Sequence, residues 1–427
     1  MAKGFDRKRI FSWALYDWAN SAFATTVIAG FFPIFFRQYW STGTDVTTTT
    51  FRLGVSNSVA SLVIVALAPL LGAIADKGGT KKKFLLFFAL MGVVMTGALY
   101  FVGEGNWGFA VLLYALGIIG FSGGNVFYDS LIVDIAGPKK IDFVSALGFA
   151  MGYLGGGILF AFNVFMTLRP ELFGLASQSE AIRISFISVA IWWAVFSIPV
   201  FLFVKEVRVK DHQAGWHAIA GGLHQLRMTF KEIRRLRIVS LFLLGYWLYI
   251  DGVNTIVRMA VDYGLSLGFD ANSLIVALLI TQFVGFPSAL AFGKIGEKLG
   301  PKIGIFIGIS VYIAVTTWAF FMTSVVEFYA LAVAIGLVQG GVQSLSRSFY
   351  TRIIPSNKSA EFFGFYNMLG KFAAVIGPAL MGWVSIVSGD PRFGILVIIP
   401  LFAAGAIFLF LVNEQEGTRM AKALEEI

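Results

Sequence analysis

The sequence predicts an all-α membrane protein in which twelve transmembrane helices form two parallel, pseudo-symmetric six-helix bundles. Of its 427 residues, 57% are apolar and only 13% are charged, and the mean hydropathy of +0.79 excludes an ordinary soluble domain. Apolar stretches of bilayer-spanning length recur along the whole chain. Two motifs of the first half return in the same order in the second half, and a weaker echo of Gly123, Gly124 and Pro138 returns as Gly340, Gly341 and Pro355, which indicates two related halves.

The twelve spans are defined by runs of about 20 apolar residues, the length that crosses the hydrocarbon core of a bilayer. We predict helices at 10–36, 51–75, 84–103, 107–135, 142–167, 183–204, 239–263, 273–294, 302–323, 327–350, 360–386 and 393–412. The short basic start of the chain runs directly into the first span without a small-residue cleavage site, so we expect it to be retained. There is no cysteine, which excludes a disulfide framework and thiolate metal sites.

Lysine and arginine are distributed unevenly between the two sides of the predicted bundle. With the N-terminus inside, 25 of the 33 basic residues fall on the inner side and five on the outer side. Cytoplasmic segments of membrane proteins carry such an excess. We therefore expect an integral protein of the bacterial inner (cytoplasmic) membrane with both termini in the cytoplasm. The same distribution accounts for the net charge of +9 without a nucleic-acid partner.

The longest inner connection, residues 205–237, separates six helices from six. We predict an N-terminal bundle over 1–204 and a C-terminal bundle with a short cytoplasmic tail over 238–427. Apolar residues in the connection recur at steps of three and four beside basic residues, which is typical of an amphipathic helix in the membrane surface. His212, His217 and His224 all lie here. A metal site is the alternative to a solvated linker, but no acidic cluster at ligand spacing accompanies them, so we expect none.

The first repeated motif, W-x-x-x-D-x-x-N, begins at Trp13 and again at Trp247. Its spacing of four and then three residues places the Trp, Asp and Asn on one face of a helix. The acids, Asp17 and Asp251, lie inside spans, where an ionised carboxylate is costly and marks function by default. Because burial disfavours the charged form of an acid, both are candidate proton carriers. The alternative is that they only accept hydrogen bonds that lock helix packing.

A second motif, G-x-x-x-[DE]-K-x-G-x-K, follows the second predicted helix at Gly72–Lys81 and the eighth at Gly293–Lys302. A glycine-rich turn lets two helix ends approach, and its acid and lysine can pair across the halves, with a helix terminus or with Asp134 at the same surface. We interpret these residues as a conformational latch. The alternative is a solvated turn whose lysines only set topology. The predicted gating residues are Gly72, Asp76, Lys77, Gly79, Lys81, Asp134, Glu297 and Lys298.

These motifs carry a family resemblance. The second motif resembles the best-known signature of the major facilitator superfamily, whose members have two parallel six-helix halves. The opening segment, which reads WALYDWANSAF, is similar to the signature of the facilitator family that includes the fungal vacuolar amino-acid effluxers of autophagy, and the similarity covers essentially the whole chain. The resemblance implies a secondary transporter and leaves the cargo open. Asn125 and Asp129 stand where many facilitators carry a basic residue, so cargo models borrowed from sugar-phosphate or drug antiporters are not implied.

Further polar residues inside the spans form a site of both charge signs. Lys371 lies near the middle of the eleventh span, too deep to reach water easily, so it must meet a carboxylate or an anionic group of the cargo. Arg347 lies nearer the inner end of the tenth span, where it faces either the cavity or the cytoplasm. Asp129, at a similar depth, is its expected partner. Arg258 either faces the cavity or pairs with Asp262, four residues later.

The candidate site residues divide by role. The proton-coupling residues are Asp17, Asp129 and Asp251. The substrate-binding residues are Asn20, Asn254, Arg258, Gln282, Gln343, Arg347, Asn367 and Lys371. A cavity with both acids and cations suits a zwitterion such as an amino acid or a short peptide.

The sequence therefore predicts a secondary active transporter that moves a small polar, zwitterionic metabolite by alternating access, coupled to protons. The alternatives are a facilitator for a different cargo (an organic anion, a cation, a drug or a metal chelate) and a non-transporting membrane receptor. The sequence contains no nucleotide-binding loop, so we expect neither ATP-driven pumping nor enzyme activity, and no cofactor. The expected partners are a small-molecule substrate, protons and the lipid bilayer. We expect a monomer.

Overall fold

The computed structural model describes residues 6–44, 46–137, 139–206, 236–373 and 376–425, and this part of the chain is built from helices. The predicted amphipathic helix and the three histidines fall outside the described residues. Within described helices, the side chains of Lys77, Asp262 and Lys371 are also outside the description. We refer to residues 6–206 as the N-terminal half and to residues 236–425 as the C-terminal half.

Fourteen helices follow one another in the described ranges. The N-terminal half contains α1 (Arg7–Trp40), α2 (Val46–Gly78), α3 (Lys81–Phe101), α4 (Trp107–Ile135), α5 (Ile141–Leu168) and α6 (Gln178–Phe203). The C-terminal half contains α7 (Arg237–Ser266), α8 (Ala271–Leu299), α9 (Pro301–Phe321), α10 (Val325–Ile353), α11 (Ser359–Phe372), α12 (Ile376–Ser388), α13 (Pro391–Leu411) and α14 (Glu414–Glu425).

In the described part of the chain, ten helices are long and apolar enough to cross a membrane, and two shorter apolar stretches, Leu62–Asp76 and Ile376–Ser385, accompany them. The prediction of one continuous helix over 360–386 is wrong, because α11 ends at Phe372 and α12 begins at Ile376. The charged C-terminal helix α14 was not predicted, since it carries no apolar run.

Side-chain caps fix where several helices begin. Ser177, Asp270 and Ser324 accept backbone N–H groups in the first turns of α6, α8 and α10, respectively. Glu327 completes a capping box with Ser324 at α10. These caps satisfy backbone donors that have no partner within the helix, so each span starts at a defined residue.

The two halves pack closely through small residues. Helix α5 of the N-terminal half packs on α8 and α10, and α2 packs on α11. A Cβ atom added at Gly72 would lie 2.3 Å from the carbonyl oxygen of Ala360, and one at Gly364 would lie 2.7 Å from Cα of Pro69. Only glycine lets the backbones of α2 and α11 approach this closely.

Both ends of the described chain lie at the same face of the bundle, which we call the terminal face. Near the N-terminus, the Lys8 ammonium lies 3.7 Å from the Phe203 ring centroid at the end of α6. At the C-terminus, Glu414 pairs with Arg352 at the end of α10. The opposite face, where α3 joins α4 and α9 joins α10, is the distal face.

Candidate functional site

Arg347 of α10 lies at the centre of a polar contact between the halves. Its side chain is buried, and its Nη1 donates to Oδ1 of Asp129 on α4 at 2.8 Å. Its Nε and Nη2 donate to Oγ and the carbonyl oxygen of Ser145 on α5, at 2.9 Å and 2.8 Å. The predicted Arg347–Asp129 pair is therefore confirmed. Of the two orientations left open for Arg347, the structure has the buried one.

Asp17 of α1 is the second carboxylate beside Arg347. Its Oδ2 lies 4.0 Å from Nη1 of Arg347 and accepts the Tyr128 hydroxyl at 3.2 Å. Its Oδ1 accepts the Ser21 hydroxyl at 3.4 Å. We call Asp17, Asp129 and Arg347 the charge cluster. With both carboxylates ionised, the cluster carries one more negative than positive charge.

Aromatic rings enclose the charge cluster. Trp13 stacks on Tyr128 with ring centroids 4.5 Å apart, and its indole N–H donates to the Tyr128 carbonyl oxygen at 3.0 Å. The guanidinium carbon of Arg347 lies 4.9 Å from the Trp13 ring centroid and 4.4 Å from that of Phe149. Rings exclude water and lower the local dielectric, so charge interactions inside the cluster are stronger than at a surface.

Asn367 extends the contact to helix α11. Its amide nitrogen donates to Oδ2 of Asp129 at 3.1 Å and to the Phe363 carbonyl oxygen at 3.0 Å. Asp129 therefore joins two helices of the other half, through Arg347 and Asn367. The predicted site residue Gln343, one turn before Arg347, is half-buried.

Asn20 and Gln282 lie apart from these direct contacts. The Asn20 amide nitrogen donates to Oδ1 of Asn125 on α4 at 2.7 Å, within the N-terminal half. Gln282 of α8 packs against Gly157 of α5 and lines a cavity of about 100 Å³ among the helices of the C-terminal half. Most of the other residues of that cavity are apolar, Thr255 and Gln339 being among the exceptions.

The second W-x-x-x-D-x-x-N copy holds the junction between α11 and α12. Both carboxylate oxygens of Asp251 accept the backbone N–H of Gly377, at 3.1 Å and 3.2 Å, and Oδ1 accepts the Thr255 hydroxyl at 3.4 Å. The Asn254 amide nitrogen donates to the Gly370 carbonyl oxygen at 3.2 Å. A carboxylate at a helix N-terminus is favoured by the helix dipole. The proton-coupling role of Asp251 stays a prediction.

The two copies are built alike and connected differently. In each, a hydroxyl four residues after the acid donates to it at 3.4 Å, and a glycine of a neighbouring helix faces it: Gly152 for Asp17 and Gly377 for Asp251. The first copy then reaches Arg347 across the halves. Asp251 instead receives an N–H group from its own half.

The other predicted cations have different surroundings. Arg258 is exposed, and the ionisable groups near it are Tyr114 of α4 and Asp251 of its own helix. Its alternative pairing with Asp262 involves a side chain outside the description. Lys371 belongs to the last turn of α11, and its side chain is likewise not described.

The residues of the predicted latch contact one another across the halves. The Asp76 carboxylate accepts the backbone N–H groups of Ala360 and Glu361, in the first turn of α11, at 3.2 Å and 2.8 Å. Lys81 Nζ lies 3.3 Å from Asp76 and 3.7 Å from Asp134, and donates to the Ser359 hydroxyl at 2.7 Å. Both predicted contacts, that of Asp76 with a helix terminus and that of Lys81 with Asp134, are confirmed.

The turn that follows Asp76 depends on glycine. Gly79 has φ +55°, a left-handed conformation that glycine adopts without strain. Gly72, one turn before Asp76, provides the close approach to α11 described above. The Lys77 side chain lies outside the description, so its predicted gating role stays a prediction.

The second copy of this motif has more exposed surroundings than the first, and its predicted gating role stays a prediction. Glu297 crosses the halves to Lys140 at 3.1 Å, but the Lys140 side chain is 53% exposed, and Lys298 is exposed. Lys302 instead donates to the carbonyl oxygens of Phe410 and Val412 at the end of α13. Lys82 caps the end of α6 in the same way, which makes Lys82 the structural counterpart of Lys302.

Sequence analysis missed a further contact between the halves. Arg352, at the end of α10, binds Asp142 in the first turn of α5 through Nη2 and Glu414 of α14 through Nη1 at 2.9 Å. The Asp142 side chain is fully buried. Neither acid belongs to a repeated motif, and Arg352 is one of the 25 inner-side basic residues, which the sequence relates only to membrane topology. The signal available in the sequence was the position of the two charges: Asp142 lies at the start of one predicted helix, and Arg352 lies just after the end of another. The latch, the charge cluster and this contact all join the halves toward the terminal face.

The comparison with protein families matches residues 41–422 to the family model described as vacuole effluxer Atg22 like. The chain belongs to the Atg22-like family. Among its relatives, the uncharacterized MFS-type transporter YxiO of Bacillus subtilis is 37% identical over 418 residues, which is 97% of each chain. Autophagy-related protein 22 of Yarrowia lipolytica is 24% identical, covering 90% of this chain and 79% of that protein. The resemblance predicted from the opening segment is confirmed.

Solved structures with the same fold are major facilitators. The human organic anion transporter MFSD10 superimposes with a TM-score of 0.72 at 16% identity, covering 94% of this chain and 99% of that one. The proton:xylose symporter XylE superimposes with a TM-score of 0.71 at 13% identity, covering 99% and 100%. Family and fold together make this Atg22-like protein an integral membrane transporter of the major facilitator type.

Proposed function

We propose that this Atg22-like protein is a proton-coupled secondary transporter of a small zwitterionic metabolite, an amino acid or a short peptide. In this proposal two six-helix bundles, 1–204 and 238–427, are joined by the cytoplasmic segment 205–237, and α11 with α12 forms the eleventh of twelve spans. The terminal face is cytoplasmic, in the inner membrane of a bacterium, and the protein acts as a monomer. The observation that carries the proposal is the charge cluster, which holds both charge signs at the contact between the halves.

The excess negative charge of the cluster provides the coupling. A proton on Asp17 or Asp129, or the ammonium group of a bound cargo, neutralises that excess and weakens the hold of the carboxylates on Arg347. Because Arg347 and its carboxylates lie on different halves, this change lets the halves separate at the terminal face. The proton therefore acts on the equilibrium between two conformations, which is what coupling requires.

The cargo carboxylate needs a cation that the cluster does not already hold. Arg258 is exposed on α7, which makes it the first candidate, and Lys371 is the second. Neutral polar groups complete the proposed binding surface: Asn20, Asn254, Gln282, Gln343 and Asn367. Arg347 joins it once its contact with Asp129 is released.

The latch stabilises the state in which the terminal face is closed. Asp76 and Lys81 are buried, and both form hydrogen bonds to α11. Opening the terminal face must therefore break these hydrogen bonds and expose both charges to water. The proposed cycle alternates between this state and one in which the latch and the charge cluster are both open, as expected for alternating access by two related halves.

The test is a thermal-shift screen of the purified protein against amino acids, dipeptides, organic acids and amines at pH 5.5 and pH 7.5. A ligand at 100 times its Kd adds about 2.7 kcal/mol of stability, a readily measured effect. We expect zwitterions to stabilise the protein, and Arg258→Gln to remove the effect. Arg169→Gln, which changes an exposed arginine outside the site, is the matched control.

Other outcomes select the alternatives. Stabilisation by organic anions alone would favour an anion facilitator that uses Arg258, and stabilisation by amines alone would favour a cation carrier that uses Asp17. No stabilisation by any class, together with no uptake by proteoliposomes, would favour a receptor and contradict the proposal.

A further inference from the structure

The C-terminal helix α14, which we call the tail helix, is docked on the terminal face. Its Gly417 packs so closely on the C-terminal half that an added Cβ would lie 2.7 Å from Cγ2 of Ile353 and 2.8 Å from Cγ2 of Ile238. The Thr418 hydroxyl donates to the Arg352 carbonyl oxygen at 3.1 Å, and Glu425 accepts the Ser356 backbone N–H. The tail helix therefore has a fixed position on the end of α10.

The tail helix contacts both the backbone and the guanidinium group of Arg352. The backbone is held by Thr418, and Nη1 of the guanidinium is held by Glu414 at 2.9 Å. The other terminal nitrogen, Nη2, points to Asp142 of the N-terminal half. The two carboxylates use different nitrogens, so Glu414 does not compete with Asp142 for a donor. A planar guanidinium can serve two carboxylates in this way, whereas an ammonium group is a single point charge.

The buried surroundings of Asp142 require a cationic partner such as Arg352. Its side chain is fully buried and lies against α8, where a Cβ added at Gly296 would be 3.0 Å from Cβ of Asp142. A buried carboxylate that loses its cation is strongly unfavourable. Any change that moves Arg352 away from Asp142 therefore favours a state in which the halves part and water reaches the acid.

We propose that Glu414 is a positioning residue: it holds Arg352 in the orientation that meets Asp142, so the tail helix is a working part of the closure of the terminal face. The inference rests on the proposed alternating-access function. It goes beyond that function because it assigns a role in the conformational equilibrium to a helix that carries neither repeated motif. An arginine side chain that is already ordered by one partner loses less conformational freedom when it binds the second.

The test measures distances between the halves by double electron–electron resonance. The chain has no native cysteine, so Lys83→Cys and Lys294→Cys place one spin label on each half, at exposed positions of α3 and α8. In nanodiscs without cargo, we expect Glu414→Gln to raise the ratio of open to closed terminal face about two- to fivefold, the range of a partly exposed ion pair. Arg352→Lys and Asp142→Asn should shift the distances in the same direction. The matched control is Glu416→Gln, an exposed acid of the same helix, which should leave the distances unchanged.

The outcomes separate positioning from simple attachment. If Glu414→Gln lowered the melting temperature but left the distances unchanged, the tail helix would be only a structural support, and the proposal would be wrong. It would also be wrong if Asp142→Asn and Arg352→Lys left the distances unchanged, because Arg352 would then have no part in closure. The measurement needs no cargo, so it can be read even if the thermal-shift screen finds no ligand and the proposed function fails.

Discussion

Arg347 illustrates how one residue can depend on several helices at once. Its guanidinium contacts α4 through Asp129 and α5 through Ser145, and the Trp13 ring of α1 lies over it. Each partner lies in the N-terminal half, while Arg347 belongs to the C-terminal half. The buried contacts of Arg347 therefore join the two halves.

The first prediction concerns the Arg347–Asp129 pair. Asp129→Ala should lower the free energy of unfolding by about 3 kcal/mol, because it leaves a buried guanidinium without its closest carboxylate. The double variant Asp129→Ala/Arg347→Met should be more stable than Asp129→Ala alone, because it removes the buried guanidinium that has lost its closest carboxylate, while Asp17 keeps the hydroxyl groups of Tyr128 and Ser21. Thermal unfolding in detergent measures both. Equal stability of the single and double variants would mean that Asp17 fully replaces Asp129 as the carboxylate partner of Arg347.

The second prediction concerns the proton. Asp17→Asn keeps a polar side chain beside Tyr128 and Ser21 but cannot carry a negative charge. We expect exchange of cargo across the membrane to persist, while accumulation driven by a pH gradient falls at least about tenfold. Counterflow and gradient-driven uptake in proteoliposomes measure the two activities separately. Asp251→Asn, the equivalent change in the second copy, tests in the same assay the predicted coupling role of Asp251.

Part of this site could be predicted from sequence. Charged residues at similar depth in different spans have few possible partners, which is why Asp129 for Arg347 and Asp134 for Lys81 were predictable. The contact between Arg347 and Ser145 could not be predicted, because it includes the backbone carbonyl oxygen of Ser145, a group that every residue carries. The stacking of Trp13 on Tyr128 depends on helix rotation, which sequence spacing alone does not determine.

At the scale of the helix, packing of α2 on α11 determines whether the latch can form. Asp76 receives N–H groups from the first turn of α11, and this is possible only because glycines let the helices approach. The latch is therefore a property of two helix surfaces as well as of its charged residues.

The third prediction tests this contact. Gly72→Ala places a Cβ within 2.3 Å of the Ala360 carbonyl oxygen, a backbone atom that cannot rotate away. We expect a loss of about 1–3 kcal/mol of stability, typical of overpacking, and a larger open fraction at the terminal face. Gly108→Ala of α4 is the matched control, because an added Cβ there meets nothing within 4 Å. A melting temperature unchanged from the parent would contradict this prediction, because it would show that the close packing of α2 on α11 does not contribute to stability.

Element boundaries followed the apolar pattern except at two places. The junction between α11 and α12 was missed because the apolar run continues through it; Gly377 and Pro378, which favour a helix start, were the available signal. The tail helix was missed because it is short and charged, so its docking depends on Gly417 and Ala421 rather than on hydropathy.

At the scale of the whole molecule, the contacts between the halves at the terminal face are asymmetric. The first copy of the glycine-rich motif is buried against α11, whereas the second contributes only a partly exposed Lys140–Glu297 pair. Sequence repetition predicted that both copies take part in the latch, but similar motifs can have different surroundings: Asp76 meets the first turn of α11, whereas Glu297 meets the Lys140 side chain.

The fourth prediction follows from this asymmetry. Asp76→Ala should raise the open fraction of the terminal face at least about tenfold, because two backbone N–H groups lose their acceptor and the buried Lys81 loses the closer of its two carboxylates. Glu297→Gln should change it by less than about twofold, since its partner is half exposed and screened by solvent. Spin-label distances between Lys83→Cys and Lys294→Cys measure both. Equal shifts in the two variants would restore the symmetric interpretation.

The central claim is that the charge cluster couples cargo movement to protons, and the most direct test is proton movement in proteoliposomes that contain a pH-sensitive dye. Addition of a stabilising zwitterion should move protons together with cargo through the parent protein, whereas Asp17→Asn should move cargo in exchange without moving protons. Cargo transport by the parent protein without any proton movement would contradict the claim.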